Sequence, residues 1–505
     1  MIRRVKTENG WVSGLPAADP RITSYKGIPF AAPPVGENRW RAPQPCADWE
    51  GDLLAHDFGP IAMQAITGYD KENIYTREWA VDVTLPMSED CLYLNVWAPA
   101  DPEKAKNLPV YVWYFGGGLQ VGNTAEMEFD GERLARRGIV VVTVGYRLNV
   151  FGFLSHPEIT AEAPDANCNF GFLDQQFATR WVKRNIAAFG GDPDNITIGG
   201  QSAGGMSVGA QITNKENEGL FNRAIVESGI FAPAYPMLLH KLEMTPAMAE
   251  ERGRKFFEFM GVSSLAEARK LDSQFVLEKM FAWEDQIPWC AVTDDKFMSS
   301  KGAWFTHTDR ICCPVFMGNT NNEFILSPEA EDMASLAEFA AKIPGLDVDK
   351  FLALFPENAS AEEIKKIGTV NAVEFAMRAA SRMMTAAGDT SPVYYYSFET
   401  DIPGWDDPGA FHSVDLWFFF ETLAKCWRPF VGRHYDLARQ MCDYWANYIK
   451  TGDPNGMGSD GTPLPYWPVF DSTNPVRMTF AQSSRPEACP ADEITDLLLN
   501  AQFGI

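Results

Sequence analysis

The 505-residue chain is short of several things, and each shortage removes a class of function. Cations are outnumbered, 43 Lys and Arg against 67 Asp and Glu, for a formal net charge of -24. Nucleic-acid phosphates and anionic lipid are held by clustered cations, so neither is an expected partner. No apolar run approaches the roughly 18 residues that span a bilayer, and no membrane span is expected. The basic start Met1-Ile2-Arg3-Arg4 lacks the apolar stretch of a secretory signal before Gly10 and Trp11, which makes cytoplasmic residence the expectation. The nine cysteines form an odd set with no C-x-x-C pair and no Cys/His ligand spacing, so free thiols are expected, with no metal and no cofactor. Cys312-Cys313 precedes the core-strand sequence Pro314-Val315-Phe316-Met317 and reads as structural. Repeats, low-complexity tracts and Gly/Ser linkers are missing too, so one domain over residues 1–505 is the economical organisation.

What is present is an ordinary globular composition, 46% hydrophobic and 22% charged. Short β-rich runs recur between helical stretches at Pro109–Tyr114, Ile139–Tyr146, Asn195–Gly199, Arg223–Glu227, Pro314–Met317 and Val393–Phe398. Most are near-continuously apolar, as strands covered on both faces must be. The pattern predicts an α/β fold with a large mixed sheet flanked by helices. Phe172 to Phe189 carries Leu173, Phe177, Trp181, Val182, Ile186 and Phe189 at helical spacing. It then stops at Gly190-Gly191-Asp192-Pro193, as a crossover helix should before the next strand. Residues 238–310 and 329–387 turn helix-rich and read as insertions over the sheet that form a lid or gorge wall.

That next strand runs into Gly200-Gln201-Ser202-Ala203-Gly204, a G-x-S-x-G elbow in which flanking glycines leave room for a strained serine backbone. Ser202 is the candidate nucleophile. An acyl-transfer nucleophile also needs NH donors aimed at the developing oxyanion. Phe115-Gly116-Gly117-Gly118-Leu119, at the end of an earlier strand, is placed to supply them. A phosphate cradle is the competing use of such glycines, but no Lys-Ser/Thr follows as a P-loop requires.

Four further segments, Tyr25-Lys26-Gly27-Ile28-Pro29-Phe30-Ala31-Ala32-Pro33-Pro34-Val35-Gly36, Ser88-Glu89-Asp90-Cys91-Leu92-Tyr93-Leu94-Asn95-Val96, Ala187-Ala188-Phe189-Gly190-Gly191-Asp192-Pro193 and Thr451-Gly452-Asp453-Pro454-Asn455, complete a resemblance that covers almost the whole chain. The sequence resembles the type-B carboxylesterases, the family that includes cholinesterases. The resemblance implies an α/β-hydrolase fold and a serine carboxylesterase working on a small-molecule ester. It implies Glu323 as the triad acid, in Gly318-Asn319-Thr320-Asn321-Asn322-Glu323, and His412 as the base, in Gly409-Ala410-Phe411-His412. It implies Gly117, Gly118 and Ala203 as oxyanion donors, with Gly116 serving the turn, and Ser228 as a support near the triad. His56, His156, His240, His307 and His434 lie in no matching motif.

Departures from the family pattern bear on substrate and compartment. Gln201 stands where many relatives carry glutamate, which removes a negative charge beside the base and argues against choline esters. Phe115 replaces a His or Tyr before the glycines, which implies a more apolar mouth. Ala62 replaces the cysteine that secreted relatives bridge to Cys91, so that disulfide is excluded, as suits a reducing compartment. Phe115, Leu119, Trp405, Phe411 and Phe420 are candidate pocket residues, with Trp79 and Trp289 as weaker ones. Neutral, relatively apolar or aromatic esters are the expected substrates. The alternatives are the same mechanism on an amide, carbamate or lactone, and a non-catalytic adhesion or scaffold protein. Retention of all three triad residues opposes the last.

Overall fold

A computed structural model describes residues 1–66, 70–79, 84–229, 235, 244–285, 287–298, 310–470 and 475–505. Its centre is an 11-stranded sheet. In chain order the strands are β1 Leu15–Pro16, β2 Ile22–Pro29, β3 Tyr93–Pro99, β4 Leu108–Tyr114, β5 Val140–Val144 and β6 Gly191–Gln201. They continue as β7 Arg223–Glu227, β8 Val315–Thr320, β9 Val393–Phe398, β10 Val476–Phe480 and β11 Ser484–Ala488. Across the sheet the order is β11-β10-β9-β8-β7-β6-β4-β5-β3-β2-β1. From β10 to β5 every neighbouring pair is parallel, and the antiparallel pairings are confined to the two ends. The expected α/β fold with a large mixed sheet is the one found.

Both faces of this sheet are covered, which explains why its strands are apolar throughout. The crossover helix α1 Phe170–Asn185 precedes β6, α2 Ala203–Thr213 follows it, α3 Ala372–Ala386 joins β8 to β9, and α4 Gly432–Thr451 precedes β10. Successive strand residues point to opposite faces. On β4, Trp113 packs against Phe419, which stacks on Trp445 of α4, whereas the Tyr114 hydroxyl is hydrogen-bonded to Thr179 of α1 at 2.6 Å. α1 ends in a short 3-10 turn, Ile186–Phe189, closed by Gly190 at φ 87°, so the predicted glycine stop is present. A side chain at 190 would meet the Ala105 carbonyl at 2.6 Å.

The two helix-rich stretches hold helices at Pro246–Met260, Leu265–Ala268 and Ser273–Ala282, and at Met333–Ala340, Val348–Leu352, Ala361–Gly368 and α3. Of the first stretch, 238–243, 286 and 299–309, with His240 and His307, lie outside the described residues. α3 differs from its neighbours, because Ser381 lies 3.9 Å from the Met317 sulfur of β8 and the helix is a sheet crossover. The first stretch is pinned to the body by a buried cation. Arg39 meets Glu89 through two 2.6 Å bonds and donates to the carbonyls of Ala268 and Leu271 at 2.9 and 2.8 Å. No described helix is long and apolar enough to cross a membrane.

Candidate active site

Adjacent parallel strands release their chains at one edge, the place where open α/β sheets build sites. Gln201 of β6 pairs with Glu227 of β7, and Glu227 pairs with Gly318 of β8, so Ser202, Ser228 and the loop to Glu323 leave the sheet side by side. Ser202 sits at φ 55°, ψ -126° between β6 and α2, and its NH donates to the Glu227 carbonyl at 2.9 Å. A non-glycine residue held there stores strain that the surroundings must pay for. The elbow is tight enough that a methyl group on Gly204 would lie 2.0 Å from the Tyr114 carbonyl oxygen. Ser228 and Ser413, each beside the same centre, also have positive φ, 44° and 76°.

Glu323 and His412 are joined by two loops zipped together just upstream of each. Asn322 donates its NH to the Ala410 carbonyl at 2.9 Å, and its side-chain oxygen accepts the Ala410 NH at 3.0 Å. His412 Nδ1 then lies 2.5 Å from Glu323 Oε2. The other carboxylate oxygen accepts Ser228 Oγ at 2.5 Å, Thr320 Oγ1 at 2.9 Å and the Thr320 NH at 3.1 Å. Ser228 stands where the resemblance implies a support, whereas Thr320 carries no sequence signal beyond its place in the same Gly-x-x-x-x-Glu segment. Both partners are buried, with Glu323 7% and His412 5% exposed.

Burial alone would raise the Glu323 carboxyl, but the facing imidazole and the Ser228 and Thr320 donors hold it below the usual carboxylate range. For His412 burial works downward and is outweighed by the Glu323 carboxylate, with Asp415 adding to the rise, so its pKa lies above the ordinary histidine value. Asp415, three residues beyond the histidine, is itself pushed up to about 6 by burial, moderated by the Tyr396 hydroxyl. The second ring nitrogen, Nε2, meets the Gln201 amide nitrogen at 3.3 Å.

The glycine loop follows β4. Gly117 and Gly118 have φ of 107° and 64°, both are exposed, and among the described residues neither NH has a backbone acceptor. Ala203 opens α2, where first-turn NH groups have no acceptor within the helix. All three NH groups are thus without a backbone acceptor among the described residues. Gly116 does more than turn the chain, because a Cβ there would stand 2.8 Å from the Gln201 carbonyl and 3.1 Å from Ser202 Cβ.

The expected pocket residues divide. Phe411 lines up with Trp79, ring centroids 6.2 Å apart, and Trp79 stacks on half-exposed Tyr75 at 5.5 Å. Phe420 is instead a core residue, fully buried against Trp113 and Phe419 at 5.2 and 4.3 Å, because the short helix Leu416–Phe419 turns it toward the sheet. Phe115 likewise does not face a mouth: its ring stacks on Tyr146 at 4.3 Å and is 2% exposed. Leu119 is fully buried behind the glycine loop. Trp405 is 70% exposed, with the Arg77 guanidinium 5.1 Å over its ring, and so sits on the surface rather than in an enclosed pocket. Trp289 is buried against Trp283 and Arg252. Phe324 was missed: nearly half exposed, it lays its ring 4.9 Å from that of His412.

Known proteins resemble the chain along most of its length. It is 31% identical over 499 residues to human cocaine esterase, covering 92% of this chain and 85% of that protein. Para-nitrobenzyl esterase of Bacillus subtilis is 30% identical over 495 residues, covering 92% of each. Fumonisin B1 esterase of Sphingopyxis macrogoltabida is 29% identical over 500 residues, covering 94% and 85%. A solved PNB esterase superposes with a TM-score of 0.79 at 28% identity, covering 99% of both chains. The profile of the carboxylesterase family matches residues 2–343 and 357–493. With that match laid over an α/β-hydrolase sheet and its serine elbow, the chain belongs to the carboxylesterase family.

Proposed function

We propose that this serine carboxylesterase works through an acyl-Ser202 intermediate, with His412 as base, Glu323 as its orienting acid and the NH groups of Gly117, Gly118 and Ala203 as oxyanion donors. The observation that carries the assignment is the 2.5 Å contact between His412 Nδ1 and Glu323 Oε2, the Glu323 loop leaving β8 two strands along the sheet from β6 and its serine at a strained elbow. Serine is a weak nucleophile until an imidazole takes its proton, and a buried carboxylate both fixes the ring tautomer and stabilises the imidazolium that forms. The same histidine then activates water to clear the acyl group. The substrates are neutral esters with an apolar or aromatic part, a reading supported by the uncharged Gln201 beside the base and by the Phe411-Trp79-Tyr75 aromatic row. The relatives named as cocaine, para-nitrobenzyl and fumonisin B1 esterases support ester cleavage itself. Cytoplasmic residence fits nine unpaired cysteines, Cys91 among them. Ser202→Ala tests the core of the proposal: it is expected to abolish turnover of a short-chain aryl ester with folding intact, and an unchanged rate would refute it.

A further inference from the structure

We infer that Gln201, rather than Ser202, is the resting hydrogen-bond partner of His412 Nε2, which makes Gln201 a positioning residue for the base. The inference rests on the proposed roles of Ser202 and His412 and adds a partner to them. Nδ1 faces the ionised Glu323 at 2.5 Å and therefore carries the ring proton. In the neutral ring Nε2 is then an acceptor, and the group that meets it is the Gln201 amide nitrogen, at 3.3 Å. Among the described residues the Ser202 hydroxyl has no hydrogen-bond partner. Gln201 is 2% exposed, so its amide is not drawn off by bulk water. Gly116 makes the arrangement possible: a Cβ at 116 would stand 3.1 Å from Gln201 Oε1.

The consequence is an exchange of partners at the start of acylation. His412 Nε2 leaves the Gln201 NH2 group and takes the proton of Ser202 as Oγ attacks the ester carbonyl. An amide can serve both states of the ring, donating to neutral Nε2 and, turned over, accepting from Nε2–H in the imidazolium. A glutamate in its place can only accept, so it holds the ring in its cationic form. The other charged or titratable groups facing the ring are Glu323 on Nδ1 and Asp415, behind which lie Glu227 and the Tyr396 hydroxyl. Tyr75 lies within electrostatic range of Glu323. All of these are unchanged when only position 201 is altered.

The test is the proton affinity of His412, read in two ways. In the full-length enzyme, Gln201→Glu should move the acid limb of kcat/KM upward by about 1 to 3 pH units, the range an opposite charge within 4–6 Å produces. Gln201→Met, which fills the space without a charge, should move it by less. In histidine-labelled protein, the titration of His412 followed by NMR should shift in Gln201→Glu and stay within about 0.3 units of the parent in Ser202→Ala. Circular dichroism checks that each variant is folded. An acid limb in Gln201→Glu within about 0.3 units of the parent overturns the inference. So does a Ser202→Ala titration shifted as far as that of Gln201→Glu. Activity surviving Ser202→Ala would instead fail the acyl-serine assignment itself, so the two failures are distinguishable.

Discussion

Replacing Glu323 by glutamine is almost isosteric, yet the hydrogen bonds around it predict a large loss. Glu323 Oε1 accepts from Ser228 Oγ, Thr320 Oγ1 and the Thr320 NH. Hydroxyls can reverse their role, but a backbone NH only donates, so the amide oxygen of glutamine must take the Oε1 place. Its NH2 group then points at His412 Nδ1, now 2.5 Å from Oε2. Nδ1 has to become an acceptor, the ring proton moves to Nε2, and Nε2 can no longer take the proton of Ser202. An acid-to-amide change that imposes the wrong tautomer costs about 10⁴ in kcat in serine proteases. That is roughly 5.4 kcal/mol of transition-state stabilisation at 1.36 kcal/mol per decade. The assay is steady-state hydrolysis of a para-nitrophenyl ester above pH 8, with Tm measured alongside to show that the fold is retained. A folded Glu323→Gln enzyme keeping more than about a tenth of the parental kcat would refute this reasoning.

Three further outcomes are expected. The base must be neutral to act, and its pKa is raised by Glu323, so kcat/KM should fall as pH drops through a value above the ordinary 6.5 of histidine, and a limb below that value contradicts the geometry. Glu89→Ala strips the partner from a buried arginine that also ties down Ala268 and Leu271, and should cost about 3–5 kcal/mol in denaturant unfolding. A loss below about 1 kcal/mol would show that the Arg39 clamp does not hold the insertion. Gly204→Ala puts a methyl group 2.0 Å from the Tyr114 carbonyl and should lower stability by about 1–3 kcal/mol together with activity; an active variant with parental Tm would contradict the tight elbow.

Much of the fold was legible because its strands are buried on both faces and therefore stand out as apolar runs. Arg223–Glu227 and Val393–Phe398 begin and end where the sequence places them. Asn195–Gly199 proved to be the middle of an 11-residue strand from Gly191 to Gln201, whose polar start, Asp192 to Asp194, hides it from a hydrophobicity reading. The serine was legible from its own motif. Glu323 and His412 were not, since they lie 89 residues apart and meet through loops zipped by Asn322 and Ala410; only resemblance to a family pointed to them. The aromatic residues near His412 show the limit most clearly. Proximity in sequence cannot say which way a short helix turns a ring, and so Phe420 went to the core while Phe324, on the far loop, came to rest on the histidine. Gln201 was legible as a missing charge, but its bond to the base depends on room left by Gly116.

The most direct measurement of the central claim is covalent: exposure of the purified protein to a fluorescent organophosphonate, followed by intact and peptide mass spectrometry. The account predicts one adduct per chain, on the peptide carrying Ser202, lost in Ser202→Ala and much slowed in His412→Ala. No adduct on folded protein, or an adduct on another residue that survives Ser202→Ala, would contradict it.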